Sequence, residues 1–458
     1  VFDILNELWK VKHIPALWKD RWILPIPKSN ITDDITQLRP IALYEVTRKI
    51  WTAMVLSKIQ PILRKHKILQ NTQNGFEPDR AADTALLQLI NIIEEALELD
   101  TPLYYTSWDC KAAFDSPTKN LLRLSWTRLG IPEDVAEWLV SLDIGGRTYI
   151  KTPYVTHNTM LSKDLRVSST NTTHFNGECG VGQGDTQGPP AFNGVEDILQ
   201  TMLTLDKSYD FYIRDDNQRL SPQPPITFAD DTSTTAATLT SLQRQADIIC
   251  AFSTITGLRV APTKMFSAVW ASPHDTPSNQ TLILHDAQWR PIETPIHSEH
   301  NLLEQHLHFR CLGKLVNINN SDSNQSTAFQ TKLIQGCNAV LHAKASPGLK
   351  WTAFSSALIQ QLAYLAKLTN WSLTQLREVD KTLARITMKI SYSMPTSPET
   401  LIYQPTSLVG MGITPFSTLI QQNKWGMMLR ATRTQHPSRQ AAKGLAGRSM
   451  RQMGDTST

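Results

Sequence analysis

Asp230 and Asp231 stand side by side at the end of the run Ile226-Thr-Phe-Ala-Asp-Asp-Thr-Ser233. Two adjacent carboxylates repel unless a cation lies between or beside them, and a divalent metal is the usual partner. Ile226 and Phe228 alternate with Thr227 and Ala229, the period of a half-buried strand, which puts the acid pair at the turn of a hairpin. Asp-Asp is also an ordinary turn dipeptide, so the pair alone does not decide. A third carboxylate occurs upstream in matching context. Leu103, Tyr105 and Ser107 alternate with Tyr104, Thr106 and Trp108, so Asp109 ends a strand largely apolar on both faces, as in a sheet interior. Three carboxylates from two neighbouring strand tips suit two divalent ions roughly 3.5–4 Å apart, which activate an attacking hydroxyl and stabilise a leaving phosphate oxygen. Oxygen-only ligands favour magnesium or manganese over zinc. Adjacent strand residues face opposite ways, so Asp109 and Asp230 are the expected principal ligands and Asp231 the weaker third.

The elements that must position these acids are also legible. Ser116 and Pro117 read as an N-cap and first-turn proline of a helix running through Asn120 to Gly130, which makes Asp115 a helix-start residue. Gly180, Gly182, Gly184 and Gly188 form a loop that lets backbone approach a ligand closely. A helix follows from about Pro189, with Phe192, Val195, Ile198, Leu199 and Met202 on one face. Lys28 and Arg39 flank an Asn30-to-Asp34 connection that reads as a hairpin; a guanidinium offers phosphate a bidentate fork and an ammonium a point charge. Leu358, Leu362, Leu365 and Leu368, then Leu376, Val379, Leu383 and Met388, recur at helix spacing.

The order of these motifs is similar to the reverse transcriptase domain, and specifically to its LINE-type (non-LTR retrotransposon) branch. Trp18-Lys-Asp-Arg-Trp-Ile-Leu-Pro-Ile-Pro-Lys28 with Leu38-Arg-Pro-Ile-Ala-Leu43 resembles the fingers segment, and Gln73-Asn-Gly-Phe-Glu-Pro-Asp-Arg80 the second fingers motif. Trp108-Asp-Cys-Lys-Ala-Ala-Phe-Asp-Ser116 resembles the first palm motif. Gly180-Val-Gly-Gln-Gly-Asp-Thr-Gln-Gly-Pro189 resembles the glycine-rich motif and Phe228-Ala-Asp-Asp231 the signature hairpin. Gly257-Leu-Arg-Val-Ala-Pro-Thr-Lys264 and Cys311-Leu-Gly-Lys314 resemble the lysine motif and the primer grip. The resemblance implies an α/β (α+β) right-hand polymerase, with fingers and palm, an antiparallel palm sheet flanked by helices, and a helical thumb. Its expected divisions are fingers with an N-terminal extension at 1–100, palm at 101–275, primer-grip link at 276–325, and helical thumb with a basic C-terminal tail at 326–458.

The same resemblance implies the roles. Asp109, Asp230 and Asp231 are the catalytic metal ligands, for Mg2+ or Mn2+. Lys28 and Arg39 touch the triphosphate. Phe114 lies under the incoming sugar, where a ring leaves no room for a 2′-hydroxyl and so favours dNTPs. Gln183 contacts the nucleotide or the template base, and Lys264 acts as a general acid toward pyrophosphate. The partners are an RNA template, a DNA primer or target, and dNTPs, inside the cell in cytoplasm or nucleus. No run reaches the length and apolarity of a membrane span. The start at Val1 reads as an excerpt of a longer polyprotein, and five widely spaced cysteines as a reducing compartment rather than a disulfide framework.

Three departures support a second reading, a decayed retroelement fragment that only binds RNA. The family commonly has a basic residue where Glu77 stands, glycine where Asp79 stands, and Pro-Gln-Gly-Ser where this chain has Gly182-Gln-Gly-Asp185. An added acid near the nucleotide pocket is electrostatically unfavourable. A third reading, an RNA polymerase, is opposed by Phe114. The net charge of +4 is mild for a nucleic-acid binder, but basic residues gather at both ends. Glu94, Glu95, Glu98 and Asp100 read as a solvated helix face, residues after Pro437 as a disordered basic tail, and Trp351, Trp371 and Trp425 as helix-packing residues.

Overall fold

The computed structural model describes residues 2–28, 34, 37–151, 175–177, 179–206, 208–214, 220–270, 280–286, 288–298, 308–317, 321–393, 398, 400–408, 410–433 and 436–452. The 30–34 connection lies largely outside them. Two strands, β1 (Arg21–Pro27) and β2 (Leu38–Tyr44), pair antiparallel and precede helices α1 (Val46–Lys65) and α2 (Ala82–Leu99). Strand β3 (Leu103–Trp108) is followed by helix α3 (Lys119–Arg128), strand β4 (Arg147–Ile150) and helix α4 (Gly188–Leu205). The hairpin β5 (Ile226–Phe228) and β6 (Asp231–Ala236) leads to helix α5 (Leu239–Thr256) and strands β7 (Phe266–Trp270), β8 (Thr281–His285) and β9 (Pro291–Ser298).

Among the described residues these build a six-stranded sheet in the order β8-β9-β7-β3-β6-β5. Apolar side chains on both faces of β3 make it the central strand: Tyr104 and Trp108 meet Trp126, Leu199 and Ile249 from α3, α4 and α5, while Leu103 and Tyr105 meet Leu86, Leu89 and Ile93 of α2. The expected antiparallel pattern holds from β5 to β7, but β7 and β9 run parallel. The chain reaches β9 through β8 at the outer edge, and two reversals restore the original direction. Two strands of the span expected to be a link therefore complete this sheet. Conversely β4, from the middle of 101–275, pairs in parallel with β1, Arg21 opposite Thr148. Helix α3 is capped by Thr118, whose hydroxyl accepts from Leu121 N–H. Ser116, the expected cap, donates instead to Ala112 O, because the chain first makes a 3-10 turn over Ala113–Asp115.

Two of the departures from the family pattern have local explanations here. Glu77 pairs with Arg64 at 3.1 Å. Asp79 has φ +59°, in the left-handed region where glycine carries no Cβ penalty. Asp79→Gly should therefore raise stability by up to roughly 1 kcal/mol, less the freedom glycine gains in the unfolded chain. A urea unfolding midpoint at or below that of the parent protein would contradict this.

Strands β10 (His308–Cys311) and β11 (Lys314–Asn317) form a tight hairpin, followed by helices α6 (Ser323–His342), α7 (Ile359–Lys367), α8 (Leu373–Ile390), α9 (Phe416–Arg433) and α10 (Ser438–Gln452). The leucine periods close a core of Leu358, Leu362, Leu376, Val379 and Leu383 with Phe329 and Phe416. Trp371 packs edge-on against Phe329, but Trp425 is 70% exposed, since α9 buries its other face through Ile420, Met427 and Ala431.

The last residues are helical through Gln452 rather than a tail. Ala441, Ala442 and Gly444 let α10 approach α2, and buried Arg448 ion-pairs with Glu95, which also meets Arg214. Glu95 thus belongs to a buried ionic contact rather than to a solvated face.

His436, at the start of α10, is buried with Nδ1 accepting from Ser438 N–H. Burial, with Arg80 nearby, pushes its pKa down to about 3. A depressed histidine contributes stability above the unfolded value near 6.5 and loses it as pH falls toward 3. Between pH 7 and pH 5 the protein should lose about 2 kcal/mol through this group, and His436→Gln should flatten that part of the stability profile.

Candidate active site

The three candidate acids sit at one end of the central strands. Asp109 directly follows β3 and Asp231 begins β6. The β3–β6 register pairs Thr232 with Trp108, so one further step along the ladder sets Asp231 opposite Asp109. Asp230 occupies the two-residue turn with Ala229, whose φ of +56° is the turn geometry that favours glycine in tight hairpins. Asp230 and Asp231 share Asp109 and Lys264 as electrostatic neighbours but differ in the rest of their surroundings. Asp230 feels Arg39 and buried Glu196, whereas Asp231 lines a cavity of about 50 Å3 with Ser107, Ser233, Arg310 and Cys311.

The electrostatics are those of a site rich in negative charge. Loss of solvent raises Asp230 above the ordinary carboxylate range, and Asp109 adds to it. Desolvation, then Asp230 and Asp109, pushes Asp231 up to about 6. Burial, then Asp230, pushes Glu196 up to about 8. The Cys110 thiol is raised by burial and by all four acids.

As the side chains stand, no group of three or more His, Cys, Asp or Glu among the described residues is drawn close enough to enclose an ion. The donor chemistry nevertheless fits a hard divalent cation: carboxylate oxygens of Asp109, Asp230 and Asp231, with Lys264 Nζ 3.4 Å from Asp109 Oδ1.

Lys264 arrives there through backbone pairing. Val260 pairs with Cys110, Ala261 N–H donates to Asp109 O, and a 3-10 turn at Pro262–Lys264 aims the side chain at the acid. Arg39, exposed on β2, acts on Asp230, and Lys28 acts with Arg21 on Asp115. Arg39 therefore lies within electrostatic reach of one of the three acids, and Lys28 within reach of the neighbouring Asp115. Phe114 stacks on buried Phe192 at 4.4 Å between ring centres and meets Phe76 edge-on at 6.4 Å. Gln183 is half-buried beside Ile41, its carbonyl accepting from Ala42 N–H at 2.7 Å. Gly184, at φ +118°, must be glycine there: a Cβ would stand 2.6 Å from Ala42 O.

Asp185 does not face this pocket. Its carboxylate lies 2.5 Å from Arg48 Nη2, which also holds Asp143 at 2.6 Å, while Arg48 Nη1 donates to the carbonyls of Trp18 and Leu142. Arg48 is 0% exposed. Burial opposes its charge, but Asp143 and Asp185 more than offset that and hold it ionised. Lys119, 3.9 Å from Asp143, brings the cluster to two cations and two anions. The extra acid is thus a structural tie beneath the glycine-rich loop.

The residues that motif reading missed are Glu196, Arg21 and Gln73. Glu196 interrupts the apolar stripe of α4 between Phe192 and Leu199, and a carboxylate on a core-facing stripe was the available signal.

The chain is similar to three solved telomerase structures. Apo telomerase of Candida tropicalis truncated from its C-terminal domain shares 12% identity over 63% of this chain and 59% of that one, with a TM-score of 0.39. Telomerase of Candida tropicalis in complex with a TWJ fragment of telomeric RNA shares 11%, over 95% and 68%, with a TM-score of 0.40. The Candida albicans complex shares 9%, over 94% and 66%, with a TM-score of 0.35. The chain thus spans 59% to 68% of the length of these structures. No curated protein sequence matches it. The model of the reverse transcriptase (RNA-dependent DNA polymerase) family matches residues 26–313, well over half of the 458. With its central carboxylate-tipped strands and helices on both faces of the sheet, the chain has the mixed α/β polymerase fold and belongs to the reverse transcriptase family.

Proposed function

We propose that the chain is the polymerase of a LINE-type retroelement, copying RNA into DNA by a two-metal nucleotidyl transfer. The observation that carries this reading is that Asp109, Asp230 and Asp231 stand at one end of adjacent strands, with Lys264 beside Asp109 and Arg39 acting on Asp230. The primer 3′-hydroxyl gives its proton to solvent as its oxygen forms a bond to the α-phosphorus of a dNTP, and the bond to pyrophosphate breaks. Asp109 and Asp230 would hold Mg2+ or Mn2+ with Asp231 in support; the cation supplies charge for the attacking and leaving oxygens.

Arg39 and Lys28 bind and orient the triphosphate. Lys264 gives a proton to the leaving pyrophosphate oxygen, a transfer that needs it to leave Asp109. Phe114, braced on Phe192, closes the space beside the sugar 2′-carbon. Gln183 contacts the nucleotide or the template base. The fingers, palm, link and thumb divisions stay part of the proposal, with β4 assigned to the fingers sheet and β8 and β9 to the palm sheet.

Phe114→Ala should raise rNTP incorporation relative to dNTP, by roughly tenfold or more, because a ring-sized clash is worth 1–3 kcal/mol of discrimination. Single-nucleotide addition with each substrate measures it. The reading as a whole is tested by primer extension on an RNA template with dNTPs and Mg2+; salt-sensitive RNA binding without incorporation would favour the RNA-binding fragment instead. That second reading rested on Glu77, Asp79 and Asp185; ion pairs explain Glu77 and Asp185, while the left-handed backbone at Asp79 still favours the family's glycine. Among the described residues no helix is long and apolar enough to cross a membrane.

A further inference from the structure

The turn that carries Asp230 is held from outside the palm sheet by one side chain of the fingers loop. Residues 72–75 run along β5 as an added edge: Thr227 N–H donates to Thr72 O at 3.3 Å, and Asn74 N–H donates to Thr227 O at 2.6 Å. Between them Gln73, 4% exposed, aims its amide at the turn. Its Oε1 accepts from Ala229 N–H at 2.9 Å and from Gly75 N–H at 2.7 Å, and its Nε2 donates to Ala229 O at 3.3 Å. Both peptide groups flanking Ala229 are thereby fixed, and Ala229 is the residue bonded to Asp230.

Ala229 needs such support. A side-chain-bearing residue at φ +56° pays roughly 1–2 kcal/mol for the left-handed backbone, and residues held in sparsely populated conformations persist only where the surroundings over-determine them. Gly75 lets the clamp close, since a Cβ there would collide with Ala229 N. The clamp is itself anchored: Asn193 of α4 donates to Gly75 O at 3.1 Å, and Asn74 Oδ1 accepts from Thr84 at 3.2 Å and Gln88 at 3.4 Å, both on α2. The segment ends at Phe76, also left-handed at φ +61°, whose ring meets Phe114. One rigid piece of buried backbone thus joins the acid-bearing turn to the wall of the nucleotide pocket.

We infer that Gln73 is a positioning residue for Asp230: by clamping Ala229 it sets the direction of the carboxylate that would ligate the cation. The inference rests on the polymerase reading, and the test separates the two. The probe is Mn2+, titrated into the full chain and followed by its paramagnetic resonance signal, with primer extension in parallel.

Gln73→Met keeps the side chain's length and removes its three hydrogen bonds. It should weaken Mn2+ binding and lower kcat by roughly 10- to 100-fold, as loss of a ligand-orienting partner does, with KM for dNTP unchanged. Adding Ala229→Gly, which adopts the left-handed turn without help, should restore part of the Mn2+ affinity and kcat; recovery of the melting temperature without recovery of Mn2+ affinity would mark a residue that merely stabilises the fold. Gln73→Glu, which keeps the acceptor for both N–H groups, serves if the methionine variant does not fold, and should show a smaller loss. Parental Mn2+ affinity in a folded Gln73 variant, where Asp230→Ala abolishes binding, overturns the inference alone. Parental Mn2+ affinity in Asp230→Ala itself removes the metal site, and both readings with it.

Discussion

Asp230→Ala should abolish nucleotide incorporation while leaving the protein at least as stable as its parent. The expected loss in rate is on the order of 1000-fold or more, because a cation-binding carboxylate at a phosphoryl-transfer site supplies about 4 kcal/mol of transition-state stabilisation. The stability expectation follows from the electrostatics. Asp230 is raised above the ordinary carboxylate range by loss of solvent and by Asp109, so ionised Asp230 is less comfortable folded than unfolded. Removing it takes away a like charge from beside Asp231 and Glu196. Primer extension and thermal unfolding on the same preparation check both halves. Full incorporation by the alanine variant would end the assignment of Asp230, and a large drop in melting temperature would mean that the loss of activity reports unfolding.

The largest expected effect on stability is at Arg48. Arg48→Met leaves Asp143 and Asp185 buried without their guanidinium, and removing one partner of a buried ion pair costs about 3–5 kcal/mol. Lys119, at 3.9 Å from Asp143, is too far to replace the 2.6 Å contact that Arg48 makes there. Asp185→Ser should cost less, since Arg48 keeps Asp143 at 2.6 Å and two carbonyl acceptors. Denaturant unfolding of the two variants ranks them; equal stability would show that the cluster is not the tie between α1 and the glycine-rich loop that its distances describe. The same tie bears on function, because Asp185 lies two residues from Gln183.

These two residues also mark what can and cannot be read from a sequence. Asp109 and Asp230 were legible because each follows a run whose alternation buries one or both faces, and a carboxylate ending such a run has no packing role of its own. Asp185, in contrast, read as an added charge near the nucleotide, since nothing local announces that Arg48, 137 residues away, lies beside it. Glu95 read as solvated for the same reason: its partner Arg448 is 353 residues distant, on a helix that had the composition of a tail.

The sequence by itself determined the strands, their acid tips, the helical periods and the order of motifs, because these depend on periodicity over a few residues and on which face an element must bury. Only contacts between distant segments show that β4 joins β1 rather than the six-stranded sheet, that β7 and β9 run parallel, that α10 lies on α2, and that Gln73 holds Ala229. Each of those depends on two segments far apart along the chain meeting edge to edge or charge to charge, and a contact of that kind leaves no period in either segment.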